Sequence, residues 1–310
     1  MLSKQKQIYE QEMLQTYKRN VTNNALHINS DKQLTSIKFV EQINANELVI
    51  RLCQKVQLIE PPSNIKILKI NNCQLKEISG IGSMKLTELD LSSNSVSDIQ
   101  ELKDLTELKI LNLGYNSTPQ KQLVDISPLC QLLNLQKLNL FRNYIQNIFP
   151  LQNLVNLTML NLANNKISNI DALKEMIHLQ QLYLSQNMIT HVYPLRFLKD
   201  LRDLDVMGNL IYNFKPIQQL QYFDKFLITW QKELSEEQMK VANRQSSVYE
   251  AQIIHEQMHA KLKNIKLQIN KVQDNQNKLI GYLQTRQLAM TNQVISVYKK
   301  IQEQQNIFGQ

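Results

Sequence analysis

Apolar residues recur with a fixed spacing through the middle of the chain. The segments LTELDLSSN, LKILNLGYN, LQKLNLFRN, LTMLNLANN, LQQLYLSQN and LRDLDVMGN all fit L-x-x-L-x-L-x-x-N and end at Asn94, Asn116, Asn143, Asn165, Asn187 and Asn209. The steps between these asparagines are 22, 27, 22, 22 and 22 residues. Looser copies continue the frame upstream: IKILKINNC ends at Cys73, LVIRLC at Cys53 and LHINSD at Asp31. Repetition at this period marks a stacked-repeat architecture, here of about nine turns between residues 23 and 220.

The pattern has a direct physical reading. In L-x-L the two leucines share one face of a short strand, because strand side chains alternate; Leu89 with Leu91, and Leu160 with Leu162, therefore point inward. One turn cannot bury that face alone, so neighbouring turns stack into a continuous core and their strands form a parallel sheet. Where the chain leaves the strand it exposes backbone groups to the interior. A buried asparagine, with donors and an acceptor, satisfies them. Asn94, Asn116, Asn143, Asn165, Asn187 and Asn209 are thus expected to form a ladder, with Cys53 and Cys73 as its cysteine-substituted rungs. In the other half of each turn, Pro128, Pro150, Pro194 and Pro216 recur in ISPL, IFPL, VYPL and FKPI, and Ala172 takes the missing step. Proline pre-sets φ for the first residue of a helical turn, which predicts 3₁₀ turns on the convex side. The 27-residue step adds five residues in STPQKQLV, an expected loop.

The ends differ. Residues 1–22 read as an N-terminal helical cap or extension, with Ile8, Met13, Leu14 and Tyr17 on its apolar side. Residues 23–226 form the solenoid with its C-terminal cap, and residues 227–310 a helical tail. Leu220, Tyr222, Phe223, Phe226, Leu227 and Trp230 read as a cap or a docking patch. Ser235-Glu-Glu-Gln238 is a capping box that starts a helix. From Val248 to Met290 a 3-4 spacing persists, including Ile265, Ile269, Val272, Leu279, Leu283 and Met290, which argues for a coiled-coil-like seam. The polar run at 274–277 and Gly281 leave a helical hairpin open beside one long helix.

This 22-residue pattern resembles the short leucine-rich-repeat class typified by SDS22-like phosphatase regulators and internalins. It is also similar to leucine-rich-repeat families of diplomonads and ciliates, with Gln/Asn-rich solenoids and helical tails. The resemblance implies an α/β solenoid: a horseshoe with a parallel concave sheet, a 3₁₀ or irregular convex side and the α-helical tail. It implies function through binding, as a scaffold or adaptor, with regulation of an enzyme such as a protein phosphatase, or an RNA-associated role, as alternatives.

Composition narrows the chemistry. The net charge is +8, spread along the chain without a run of five or more Lys/Arg, which argues against a dedicated nucleic-acid patch. The polar start carries no signal peptide and no stretch is apolar enough to span a membrane, so a cytoplasmic protein is expected, with nuclear, cytoskeletal or flagellar association left open. Three cysteines imply no disulfide framework. His255-Glu-Gln-Met-His259 matches H-E-x-x-H, but no histidine follows it, and Asp274 and Glu303 stand in no ligand motif. No phosphate-binding glycine loop or nucleophile elbow occurs. The expectation is therefore no catalysis, no metal and no cofactor.

The strand positions that alternate outward supply the candidate concave face. Tyr115, Phe141, Arg142, Met159 and Tyr183 fall on consecutive turns, flanked by Asp90 and Asp205. Aromatic and arginine residues dominate protein-binding hot spots. The expected partner is another protein on this face, with self-association or helix pairing through the tail.

Overall fold

The computed structural model describes residues 11–12, 14–31, 34, 37–56, 62–217, 220, 225–227, 265–266 and 268–296. The chain divides into two compact units, Met1–Gln238 and Met239–Gln310.

Among the described residues eleven strands form one sheet in sequence order: β1 (Val21–Thr22), β2 (Ala25–Asn29), β3 (Glu47–Arg51), β4 (Ile67–Asn71), β5 (Glu88–Asp90), β6 (Ile110–Asn112), β7 (Lys137–Asn139), β8 (Met159–Asn161), β9 (Gln181–Tyr183), β10 (Asp203–Asp205) and β11 (Lys225–Leu227). From β2 to β11 every pairing is parallel and in repeat register, so Leu89, Leu111, Leu138, Leu160, Leu182 and Leu204 stack in one buried row. Among the described residues of this unit, the helical segments after β2 and after β4 to β10 are 3₁₀, with Pro128, Pro150 and Pro194 as the second residue of theirs. A step of about 22 residues per turn leaves no room for longer helices.

Both ends extend the nine expected turns. At the start, β1 pairs antiparallel with β2 through Asn23 and Asn24, at φ 51° and 61°. Two left-handed residues between paired strands make a tight hairpin, and asparagine tolerates that conformation well. Leu14 and Tyr17, on the helical stretch before it, join the core, and the Tyr17 hydroxyl bonds the Asp31 carboxylate. At the other end β11 adds a tenth parallel strand, with Phe226 opposite Leu204. The aromatic segment thus contributes a strand, and the sheet crosses the expected boundary at 226–227. The pattern hides this turn because FDKFLITWQ carries Phe, Phe and Ile at the three leucine positions and Gln at the asparagine position. Ile8, Met13, Tyr222, Phe223, Trp230, the capping box at 235–238 and the H-E-x-x-H segment lie outside the described residues.

The ladder is continuous. Asn165 shows its geometry: Nδ2 donates to Leu162 O at 2.9 Å within its turn and to Leu140 O at 3.0 Å in the preceding one, while Oδ1 accepts the Ile145 N–H at 3.0 Å. Cys73 substitutes partially: its Sγ accepts the Cys53 N–H at 3.4 Å and donates to Asn71 O at 3.2 Å. The insertion would break the pattern, because the residue in the Ile145 position of that turn, Leu123, lies five residues further along. Ser117 repairs it. The Leu123 N–H donates to Ser117 Oγ at 3.2 Å, and that hydroxyl donates to Asn143 Oδ1 at 3.3 Å.

Burial pushes the Cys53 and Cys73 thiols up, which lowers the thiolate fraction that reacts. A maleimide at pH 8 should therefore label Cys130 alone in the native protein and all three cysteines only after denaturation. Rapid native labelling of a second thiol would contradict the ladder assignment.

In the second unit residues 268–296 are one helix, unbroken through the polar run at 274–277 and Gly281. This corrects the hairpin option at those positions: polar residues and a single glycine lower helix propensity without removing a backbone hydrogen bond. Every described side chain of this helix is exposed, including Ile269, Val272, Leu279, Leu283 and Met290. No helix among the described residues is long and apolar enough to cross a membrane.

Candidate functional site

The outward strand positions separate into two kinds. At five of them an Asp or Asn side chain accepts the backbone N–H two residues on: Asp90 from Ser92 at 2.9 Å, Asn112 from Gly114 at 3.1 Å, Asn139 from Phe141 at 3.0 Å, Asn161 from Ala163 at 3.1 Å and Asp205 from Met207 at 3.0 Å. These short bonds turn the chain out of the strand. Asp90 and Asp205 are therefore already engaged in shaping the turn. Lys69 lies between Glu88 at 2.9 Å and Glu47 at 3.4 Å, so its charge is already met by carboxylates of the neighbouring strands.

The aromatic positions behave differently. Tyr115 and Arg142 are not outward strand residues. Each sits one residue before a ladder asparagine, in the turn after the strand, at φ 58° and 55°. Ser93, Asn164, Gln186 and Gly208 take the same left-handed conformation in their turns. Period-2 alternation stops where the Asx-type bond forms, so it could not place these two side chains. Gly208 was the one sequence signal of a left-handed site there.

Stacking brings Tyr115, Phe141 and Arg142 together although 26 residues separate Tyr115 from Phe141 in the chain. The Tyr115 and Phe141 rings meet edge to face with centroids 5.0 Å apart, and the Arg142 guanidinium lies 5.1 Å from the Tyr115 ring centre. In the next turns Lys166 Nζ stands 5.8 Å from the Tyr144 ring. Tyr115, Ser117, Arg142, Tyr144, Asn164 and Lys166 line an open groove of about 490 Å³, which also reaches Gln186 and the ladder residues Asn143 and Asn165.

Met159 and Tyr183 stand apart from that groove, half-buried on β8 and β9. Burial, and then the charges of Asp203 and Asp205, push the Tyr183 hydroxyl up, so it stays protonated near neutrality. Tyr144, Lys166, Asn164 and Gln186 were missed by reading strand faces. Their signal is a different one: they immediately precede or follow a ladder asparagine, and those two rows flank the ladder. Among the described residues no cluster of His, Cys, Asp and Glu is arranged to hold a metal ion.

A family model described as leucine-rich repeats (2 copies) matches residues 85–131 and 133–175. No curated protein matches the sequence. Among solved structures, internalin C2 of Listeria monocytogenes is 24% identical, with a TM-score of 0.56 over 70% of this chain and 90% of that one. A second Listeria monocytogenes internalin, inlF, is 24% identical, with a TM-score of 0.55 over 73% of this chain and 71% of that one. A Leptospira interrogans leucine-rich-repeat protein is also 24% identical, with a TM-score of 0.58 over 66% of this chain and 55% of that one.

Proposed function

We propose that this chain, a leucine-rich-repeat protein, acts as a protein-binding scaffold rather than as a catalyst, with its main contact on the concave face and strand-exit edge around Tyr115, Phe141 and Arg142. The observation that carries this reading is the packed trio itself. Core packing does not require it, since Tyr115 and Arg142 are exposed and the interior of those turns is filled by leucines. A hot spot consists of such rigid aromatic and arginine groups held in place before the partner arrives. Tyr183 and Met159 extend the contact along the sheet. Phe141→Ala should weaken a partner recovered by pull-down by about 1–2 kcal/mol and leave the melt nearly unchanged, whereas Lys174→Ala on the 3₁₀ side should change neither. Equal titration curves for the two variants would remove the face.

A second reading concerns the tail, on the strength of the exposed apolar stripe along 268–296. A long helix in water draws most of its stability from burying such a stripe. A second copy of the chain supplies the matching surface, and helix pairing between copies would present two solenoids to one ligand.

A further inference from the structure

We propose that the groove beside the ladder is a receptor for an acidic, extended segment of the partner protein, whose carboxylates seat between Arg142 and Lys166. This rests on the protein-binding reading above and adds the chemistry of what is bound.

Three observations support it. First, the groove is lined by two cations, two tyrosines, a serine and amides, and by no Asp or Glu. Among the described residues no carboxylate lies within ion-pair distance of Arg142 or Lys166, whereas Lys69 on the sheet is enclosed by two. Second, both cations stand over aromatic rings. That contact fixes a flexible side chain without neutralising it, so the positive ends are held ready for an anion. The guanidinium fork suits a carboxylate in two-point contact, and the low-dielectric walls of a groove strengthen the field. Third, the 27-residue repeat step lies here. The insertion between Asn116 and Leu123 is closed by the Thr118 N–H on Lys121 O at 2.7 Å, and its Ser117 lines the groove. Insertions in solenoids concentrate on the binding face.

The geometry favours a peptide over a nucleic acid. Two cations release too few counterions for strong phosphate-backbone binding. Arg142 and Phe141 already pack on Tyr115, and Lys166 stands over Tyr144, which leaves little open ring for bases to stack on.

The test is fluorescence anisotropy on the full chain with a fluorescein-labelled ten-residue peptide of alternating Glu and Ser. A Gln-for-Glu counterpart and a ten-nucleotide oligo-dT serve as the other probes. The Glu peptide should bind and the Gln peptide should not. Arg142→Gln with Lys166→Gln should weaken the Glu peptide about tenfold or more, and Arg142→Lys alone by less. The charge-matched pair Lys103→Gln with Lys199→Gln, on the 3₁₀ side, should stay within about twofold. Both pairs change exposed side chains, and unchanged melts verify folding. Three results would overturn the proposal: equal binding of the Glu and Gln peptides, equal losses in the two double variants, or a groove variant that loses oligo-dT while keeping the Glu peptide. If one of these occurs while Phe141→Ala still weakens binding of a pulled-down partner, the protein-binding face stands and only the acidic preference falls.

Discussion

Asn165→Ala should destabilise the solenoid by about 1–3 kcal/mol, toward the upper end of that range. The side chain serves four buried backbone groups in two turns: the carbonyls of Leu140, Leu162 and Ala163 and the N–H of Ile145. Alanine removes all of these side-chain partners and leaves the buried groups unpaired. Two further substitutions order the effect. Asn165→Cys should cost less than alanine, because Cys73 shows that a thiol can both accept from one backbone group and donate to another. Asn165→Asp should cost more. It keeps the acceptor but points a second oxygen, and a charge, at these carbonyls. Urea melts of the three variants give the ranking, and an alanine variant melting like the wild type would refute the role of the ladder.

Self-association through the tail should have the second large effect. The full chain should scatter light as a species larger than a monomer, and Leu279→Lys with Leu283→Lys should return it to one chain, since both side chains are more than half exposed and lie on the apolar stripe. The pairing sense also follows. In a parallel pair Arg286 would face its own copy within the seam. In an antiparallel pair the spacing sets Ile265 against Met290, Ile269 against Arg286, Val272 against Leu283 and Gln276 against Leu279, so no two cations meet. Val272→Cys should then cross-link between copies only when combined with Leu283→Cys. Cross-linking by Val272→Cys alone would establish the parallel arrangement, and a monomer in every form would leave the stripe without a second copy as its partner.

The extent of the fold that could be read in advance follows from where its information lies. Each turn repeats one local rule, and the rule is one of side-chain chemistry: leucines at alternating strand positions, and a buried amide where the backbone turns inward. Because every turn obeys it, stacking is the one arrangement that buries all the leucines at once. The parallel sheet, the buried rows, the 3₁₀ side and the rungs at Asn94 through Asn209 are therefore legible from spacing alone. Legibility fails where chemistry is replaced by an equivalent. Phe226 stands for leucine in β11, the Ser117 hydroxyl bridges a rung lengthened by five residues, and Asn23-Asn24 closes a hairpin before the first repeat.

The candidate site belongs to the other category. That Tyr115, Phe141, Arg142 and Tyr183 occur on neighbouring turns is a property of the sequence. That three of them pack together, while Tyr183 lies apart on β9, follows from a left-handed residue before each ladder asparagine, which carries Tyr115 and Arg142 off the strand and onto its exit edge. Tyr144 and Lys166 join them only because turns separated by 22 residues are stacked side by side. The sequence by itself determined the repeat, its inward face and the rungs that satisfy it, because those depend on contacts each turn makes in the same way. Only the tertiary structure decided the groove, because its walls come from side chains on different turns whose directions are set by backbone torsions that no hydrophobic pattern encodes.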